Sequence, residues 1–403
     1  MTAAQSHHFS SARFRIVDLF AGPGGLDLAA EILDTEEMPV KTIGIEWDDD
    51  ACETRKAANL LTVHGDVRDY DPDSEGPDGE PVRDANVLAG GPPCQTFTVA
   101  GSGAGRRALD LVLSLVDELA NAKDVSALEL VMKEAESFDD ERTALVLQPL
   151  KWALQANFLG RPYEAIVLEQ VPAVLPVWEA MGKVLERIGY KFPLLEGVDS
   201  DVTPQLPLAG TARSSRRAEP SPRAFVLHTE EYGVPQTRRR AVLLARRDEH
   251  PRFPAPTHHR YRKGVTPPKD GGLDPWVSMG QALGREDEFV VVSNYGTGGD
   301  PKARGRREST TPSATVTGKI SRNRLEVNGK DIGPFTNPEA GQLQSFPRNY
   351  PWSGRAVAQQ IGNAVPPRLG VHILSAALGL PEPTEDVWTR LEGWQRPQPT
   401  ASA

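Results

Sequence analysis

A chain of 403 residues, 39% hydrophobic and 25% charged, exceeds what one hydrophobic core usually serves, so a large domain with a smaller companion is expected. Two cysteines, Cys52 and Cys94, exclude a disulfide framework and a cysteine-clustered metal site, and they fit a reducing cytoplasm. The net charge of −10 hides an asymmetry, 17 Lys+Arg against 35 Asp+Glu through residue 200 but 28 against 20 beyond it, which permits a local nucleic-acid surface on an acidic body.

Residues 1–11 are short and polar and lack the apolar core of a signal peptide. Residues 14–20 read as a first strand, running into the turn Ala21-Gly22-Pro23-Gly24-Gly25 and a helix over 26–33. A second strand, 42–46, ends in Glu46, and a third ends at Asp66. Residues 86–91 form a later strand that opens into Pro92-Pro93-Cys94-Gln95. Between Cys94 and Glu169 the chain is too long for one crossover; Leu109, Val112, Leu113, Val116 and Leu119 stand at helical spacing, so 107–159 reads as a helical insertion. Residues 165–169 make a strand ending in Glu169, and 240–245 close the series. Alternating strands and helices predict an α/β fold with a Rossmann-like parallel sheet, and the polar residues of interest fall at the edge where such sheets bind ligands.

The catalytic domain is thus expected over 12–247, with a loop at 200–222 rich in Pro, Gly and Ser. From 248 to 330 the chain turns to Pro, Gly, His, Arg and short Val/Thr strands, which reads as the smaller domain. Residues 331–382 are expected to return to the first domain and 383–403 to form a loose tail. No apolar run approaches the ~20 residues that cross a bilayer, so no membrane partner is expected, and monomer is the default.

Gly22-x-Gly24 lacks the third glycine of a dinucleotide fingerprint, which disfavours a nicotinamide oxidoreductase. The turn suits the amino-acid end of S-adenosylmethionine instead, with Phe20 and Trp47 for the adenine ring, Glu46 for the ribose hydroxyls, and Asp66 for the adenine amino group. Asp18, Glu46 and Asp66 would stand at three successive strand ends. In Gly91-Pro92-Pro93-Cys94 two prolines stiffen the backbone ahead of a thiol, as aiming a nucleophile requires. Cys52 has no such setting and reads as a core residue.

Asp18-Leu19-Phe20-Ala21-Gly22-x-Gly24-Gly25, Pro92-Pro93-Cys94-Gln95, Gln236-Thr237-Arg238-Arg239-Arg240 and Gln360-Ile361-Gly362-Asn363-Ala364-Val365-Pro366 together resemble the DNA (cytosine-5) methyltransferase family, in that family's order. The resemblance implies that Cys94 adds to C6 of a cytosine flipped out of duplex DNA, and that the methyl group of S-adenosylmethionine passes to C5. It implies Glu169 as the acid on the base, Arg240 as the holder of its O2, and Arg238 as support. Gly22, Gly24, Gly25, Val67, Pro93 and Asn363 join the cofactor contacts, and no metal is required. DNA contacts are expected from Gln95, Thr98, Arg106, Arg107, Gln236, Arg304, Arg306, Thr315 and Thr317, the segment 101–107 acting as a mobile loop and 248–330 as the target-recognition domain. Two departures are visible, Gln170 where the family commonly has asparagine and Thr98 where serine is usual. The same scaffold also admits an RNA cytosine methyltransferase or a catalytically silent DNA-binding relative; retention of Cys94, Glu169 and Arg240 argues against silence.

Overall fold

The computed structural model describes residues 9–93, 103–137, 142–194, 222–266, 272–293 and 304–396. Cys94, Gln95 and Thr98, the residues 294–303, and most of the loop at 200–222 lie outside the described residues, as does the side chain of Arg106.

The first half alternates as its sequence suggests: β1 (Phe14–Leu19), α1 (Gly25–Leu33), β2 (Val40–Glu46), α2 (Asp49–Ala57), β3 (Thr62–His64) and β4 (Val87–Gly90). A helical stretch follows, α3 (Gly103–Asn121), α4 (Val125–Glu136), α5 (Arg142–Leu145) and α6 (Gln148–Phe158), before β5 (Ala165–Gln170) and α7 (Leu175–Arg187). Next come β6 (Ala224–His228), β7 (Gln236–Thr237) and β8 (Arg239–Arg246). The main sheet has seven strands in the order β3-β2-β1-β4-β5-β8-β6. β1 to β5 pair in parallel, whereas β8 pairs antiparallel with both β5 and β6. The expected parallel sheet is therefore mixed at one end, and β6 (Ala-Phe-Val-Leu-His) adds a strand that the sequence reading did not separate from its surroundings.

Both faces of the sheet are covered, which is why its strands carry continuous apolar runs rather than a strict alternation. One face packs on α3, α4, α6 and α7 through Val112, Leu128, Trp152 and Trp178. The other packs on α1 and on two C-terminal helices, α11 (Pro367–Leu378) and α12 (Glu385–Glu392). The supposed loose tail is thus corrected. Trp388, Leu391 and Trp394 recur at helical spacing and are all buried in that core, so residues 385–394 dock where a tail was expected.

A smaller antiparallel sheet runs β10-β9-β12-β13, from β9 (Val290–Val292), β10 (Arg306–Glu308), β12 (Arg324–Val327) and β13 (Lys330–Gly333). It carries α8 (Met279–Leu283), while β11 (Ser313–Ala314) pairs with β7. Its core takes Phe289, Val291 and Leu325 from the sheet region, and Leu343 and Ile361 from α9 (Asn337–Leu343) and α10 (Val357–Asn363). Of the segment expected to return to the first domain, α9 and α10 therefore share the core of the small sheet, while α11, with Phe346, Tyr350 and Ala364, lies in the core against α1.

Candidate functional site

The carboxyl ends of β1, β2, β4 and β5 open on one edge. β1 stops at Leu19, and Phe20 takes a left-handed φ of 66°, which turns the chain sharply out of the sheet. Gly22 and Gly24 hold φ of 56° and 101°, conformations that cost a side-chain-bearing residue strain. Nothing lies within 4 Å of where a Cβ on Gly22 would stand, so the turn borders open space. A Cβ on Gly25 would stand 2.1 Å from the Val365 carbonyl oxygen, so the segment after Asn363 packs directly against the turn. Tyr350, which the sequence did not single out, adds its hydroxyl to the Pro23 carbonyl.

Glu46 ends β2 and is buried. Its Oε2 accepts from the Gly22 N–H at 2.7 Å, and its Oε1 accepts from the N–H groups of Trp47 and Asp48 at 2.9 and 2.8 Å. Burial pushes its carboxyl up, and these backbone donors oppose the rise. A carboxylate offers about four lone-pair sites, so one on Oε2 stays available to a ligand hydroxyl. Trp47 beside it is 70% exposed, a flat apolar surface left open next to the turn. Asn363 is exposed at the end of α10, and Val67 is buried.

Two of the three acids differ from expectation. Asp18 lies within β1 rather than at its end, buried, with Oδ1 lacking a hydrogen-bond partner. Burial and the neighbouring Asp27 push its carboxyl well above the usual range. Asp66 stands two residues past the end of β3, where it caps a short 3-10 turn and is gripped by Arg68, Nη2 to Oδ2 at 2.6 Å. Beneath them runs a pair that no local motif announced. Arg55 donates twice to Asp27, at 2.7 and 2.8 Å, and both side chains are fully buried. Burial opposes the Arg55 charge, but Asp27 holds its pKa above the ordinary arginine value.

At β5 the catalytic expectations converge. Glu169 is buried, and Arg240 Nε from neighbouring β8 lies 2.8 Å from its Oε1. The N–H is not aimed along that line, so this oxygen still has a hydrogen bond to make. Burial draws the Arg240 guanidinium below its ordinary value, and Glu169 opposes that fall. A Cβ on Gly91 would stand 3.9 Å from Glu169 Oε2, which sets this carboxyl beside the start of the Gly91-Pro92-Pro93 turn.

Arg238 is buried and donates to the carbonyls of Val316, Gly362 and Ala364 at 2.9, 3.0 and 3.3 Å. It ties the β7–β8 corner to the segment after β11 and to the motif at residues 360–366, and burial with Arg240 nearby lowers its pKa well below the ordinary value. Gln236, expected at DNA, is corrected. It is wholly buried, its amide bonded to Leu343, Gln344 and the Val316 N–H, because β7, paired with β11, lies against the end of α9 rather than at the surface. Thr315 donates to the Thr237 carbonyl at 2.7 Å and is half-buried, while Thr317 is exposed. Arg107 and Arg304 are exposed; Arg306 is exposed too but pairs with Glu326. Cys52 is buried, as a core residue should be. Among the described residues no cluster of His, Cys, Asp and Glu could hold a metal.

Comparison with known proteins agrees with this layout. The C-5 cytosine-specific DNA methylase family matches residues 14–118 and 222–378, well over half of the chain. Glu169 and Gln170 fall between those two stretches, so their place rests on β5 itself. Type II methyltransferase M1.HphI of Haemophilus parahaemolyticus is 24% identical over 90% of this chain and 86% of its own. Type II methyltransferase M.SacI of Streptomyces achromogenes is 24% identical over 90% and 92%. The fold is shared with the Entamoeba histolytica methyltransferase EhMeth, TM-score 0.51 at 12% identity over 90% of this chain and 97% of that one. It is also shared with S. pombe Dnmt2, TM-score 0.51 at 14% identity over 91% and 99%. The chain belongs to the C-5 cytosine-specific DNA methylase family.

Proposed function

We propose that this protein methylates C5 of cytosine in duplex DNA, with Cys94 as the nucleophile. The observation that carries the reading is the buried Glu169–Arg240 pair at the mouth of the Pro92-Pro93 turn, with an acceptor oxygen still unmet. C5 of cytosine is a weak nucleophile, and addition of the Cys94 thiolate to C6 makes it an enamine carbon. Charge then builds towards N3, where a proton carried by the Glu169 carboxyl meets it, while the other carboxyl oxygen accepts from the exocyclic amino group and Arg240 holds O2. When bound, S-adenosylmethionine supplies the methyl group. Loss of the C5 proton and expulsion of Cys94 then restore the ring. Such a base must leave the stack, and 248–330 is proposed to read its flanks as the target-recognition domain.

The cofactor residues fit that role. The open turn at Gly22, the exposed Trp47 and the remaining acceptor of Glu46 would hold the amino-acid end, adenine and ribose. Asp66 would share its carboxylate between Arg68 and the adenine amino group. Incubation with tritiated S-adenosylmethionine and mixed-sequence duplex DNA, then nucleoside analysis, is expected to yield 5-methyldeoxycytidine. Label in RNA cytosine alone would move the reading to an RNA substrate; label on adenine or on cytosine N4 would refute it.

A further inference from the structure

The β2–β3 ladder sets Glu46 opposite His64, and one step on the Gly65 N–H donates to the Glu46 carbonyl at 2.9 Å. The backbone thus delivers Asp66 beside the step from Glu46 to Trp47. A Cβ on Gly65 would stand 2.7 Å from the Tyr70 hydroxyl oxygen, so residues 65–70 close on themselves as one compact turn. Within that turn Arg68 meets the Asp66 carboxylate from two sides. Oδ1 accepts from the Arg68 backbone N–H at 2.9 Å and from its Nε at 3.1 Å. Oδ2 accepts from Nε at 3.0 Å and from Nη2 at 2.6 Å. A carboxylate offers about four lone-pair sites, and these contacts meet them all. Burial raises the Asp66 carboxyl, yet the Arg68 bonds and charge take it below its ordinary value. Asp66 is therefore a charged acceptor already filled by its neighbour. The pair is not locked in, because the Arg68 side chain is 30% exposed and that of Asp66 23%, which leaves the guanidinium solvent to swing into.

We infer that Arg68 is a competitor built into the adenine subsite, its guanidinium occupying the Asp66 oxygen that the 6-amino group of S-adenosylmethionine needs and yielding it when the cofactor enters. The inference rests on the proposed place of Asp66 at the adenine. The Arg68 backbone N–H stays on Oδ1 through the exchange, so Asp66 keeps its orientation and only the guanidinium leaves. Substrate and product carry the same adenine, so Arg68 lowers both affinities together, which eases release of the product.

Calorimetric titration of wild type and Arg68→Met with S-adenosylhomocysteine, and with its analogue carrying unsubstituted purine for adenine, separates this role from a structural one. Methionine keeps an apolar stem and the backbone N–H but has no guanidinium. Wild type is expected to prefer the adenine ligand. Arg68→Met is expected to tighten S-adenosylhomocysteine about 3- to 5-fold, the strength of an exposed ion pair of good geometry. The purine analogue, which has no amino group to bond, is expected to bind both proteins alike. Arg68→Lys, which keeps the charge without the planar fork, should fall between them. Unchanged or weaker binding of S-adenosylhomocysteine by Arg68→Met would overturn the inference, and so would equal tightening of both ligands. Loss of both ligands in Arg68→Met would make Arg68 a structural residue and overturn it as well. Wild type that bound the two ligands equally would remove Asp66 from the adenine and the inference with it, while wild type that bound neither would refute the cofactor reading itself.

Discussion

Several side chains at the site are charged and buried at once, and each survives by a different local arrangement. Arg55 is neutralised by Asp27, Glu46 is solvated by three backbone N–H groups, and Arg238 is solvated by carbonyls. Glu230 has less support. It lies in the corner between β6 and β7, and its Oε2 lacks a hydrogen-bond partner. Burial pushes its carboxyl up to about 7. Because the folded pKa is raised, the folded state holds a proton that the unfolded chain has released. Its stabilising contribution is present at low pH and is lost as pH climbs from about 4 to about 7. In urea unfolding, Glu230→Gln is expected to gain on wild type by roughly 2–3 kcal/mol between pH 5 and pH 8. A constant difference at both pH values would show that Glu230 ionises without penalty.

At the scale of elements, the sequence was most legible where chemistry and periodicity coincided. β1, β2 and β5 each end near a motif residue, and they fall within two residues of their expected limits. β8 was found but not its antiparallel direction, since a doubly covered strand reads as the same apolar run either way. The pairing of Asp27 with Arg55 escaped notice because 28 positions separate them, although Asp27 stands where the glycine pattern after β1 would have its third glycine. Gln236 was expected at DNA, yet its partners come from α9, the residue after it and the Val316 N–H. The last helix, α12, was lost for want of an apolar run, although Trp388 and Leu391 mark one face of it and Trp394 is buried just beyond its end. Trp388 is also covered by the Arg368 guanidinium, 4.1 Å from its ring centroid. Trp388→Ala is expected to cost about 3–5 kcal/mol in chemical denaturation, as buried tryptophan truncations do. A loss below about 1 kcal/mol would mean that the helix adds little to the core.

For the whole molecule, an acidic first half and a basic second half would make the proposed DNA affinity a local property. The charge sums to −18 through residue 200 and +8 beyond. Binding is then expected to weaken linearly in log affinity against log salt, with Arg304→Ala lowering the slope by about 1 if it meets a phosphate. An unchanged slope would remove Arg304 from the interface. The central claim, that Cys94 attacks a cytosine in DNA, is tested most directly by trapping. Wild type and Cys94→Ser are each incubated with S-adenosylmethionine and a mixed-sequence duplex containing 5-fluorocytosine, then denatured. Fluorine at C5 blocks the elimination that would release the enzyme, so the account predicts a denaturation-resistant complex with wild type and none with Cys94→Ser. A complex that persists in Cys94→Ser would contradict the assignment of the nucleophile, and the absence of any complex while methyl transfer proceeds would contradict covalent attack altogether.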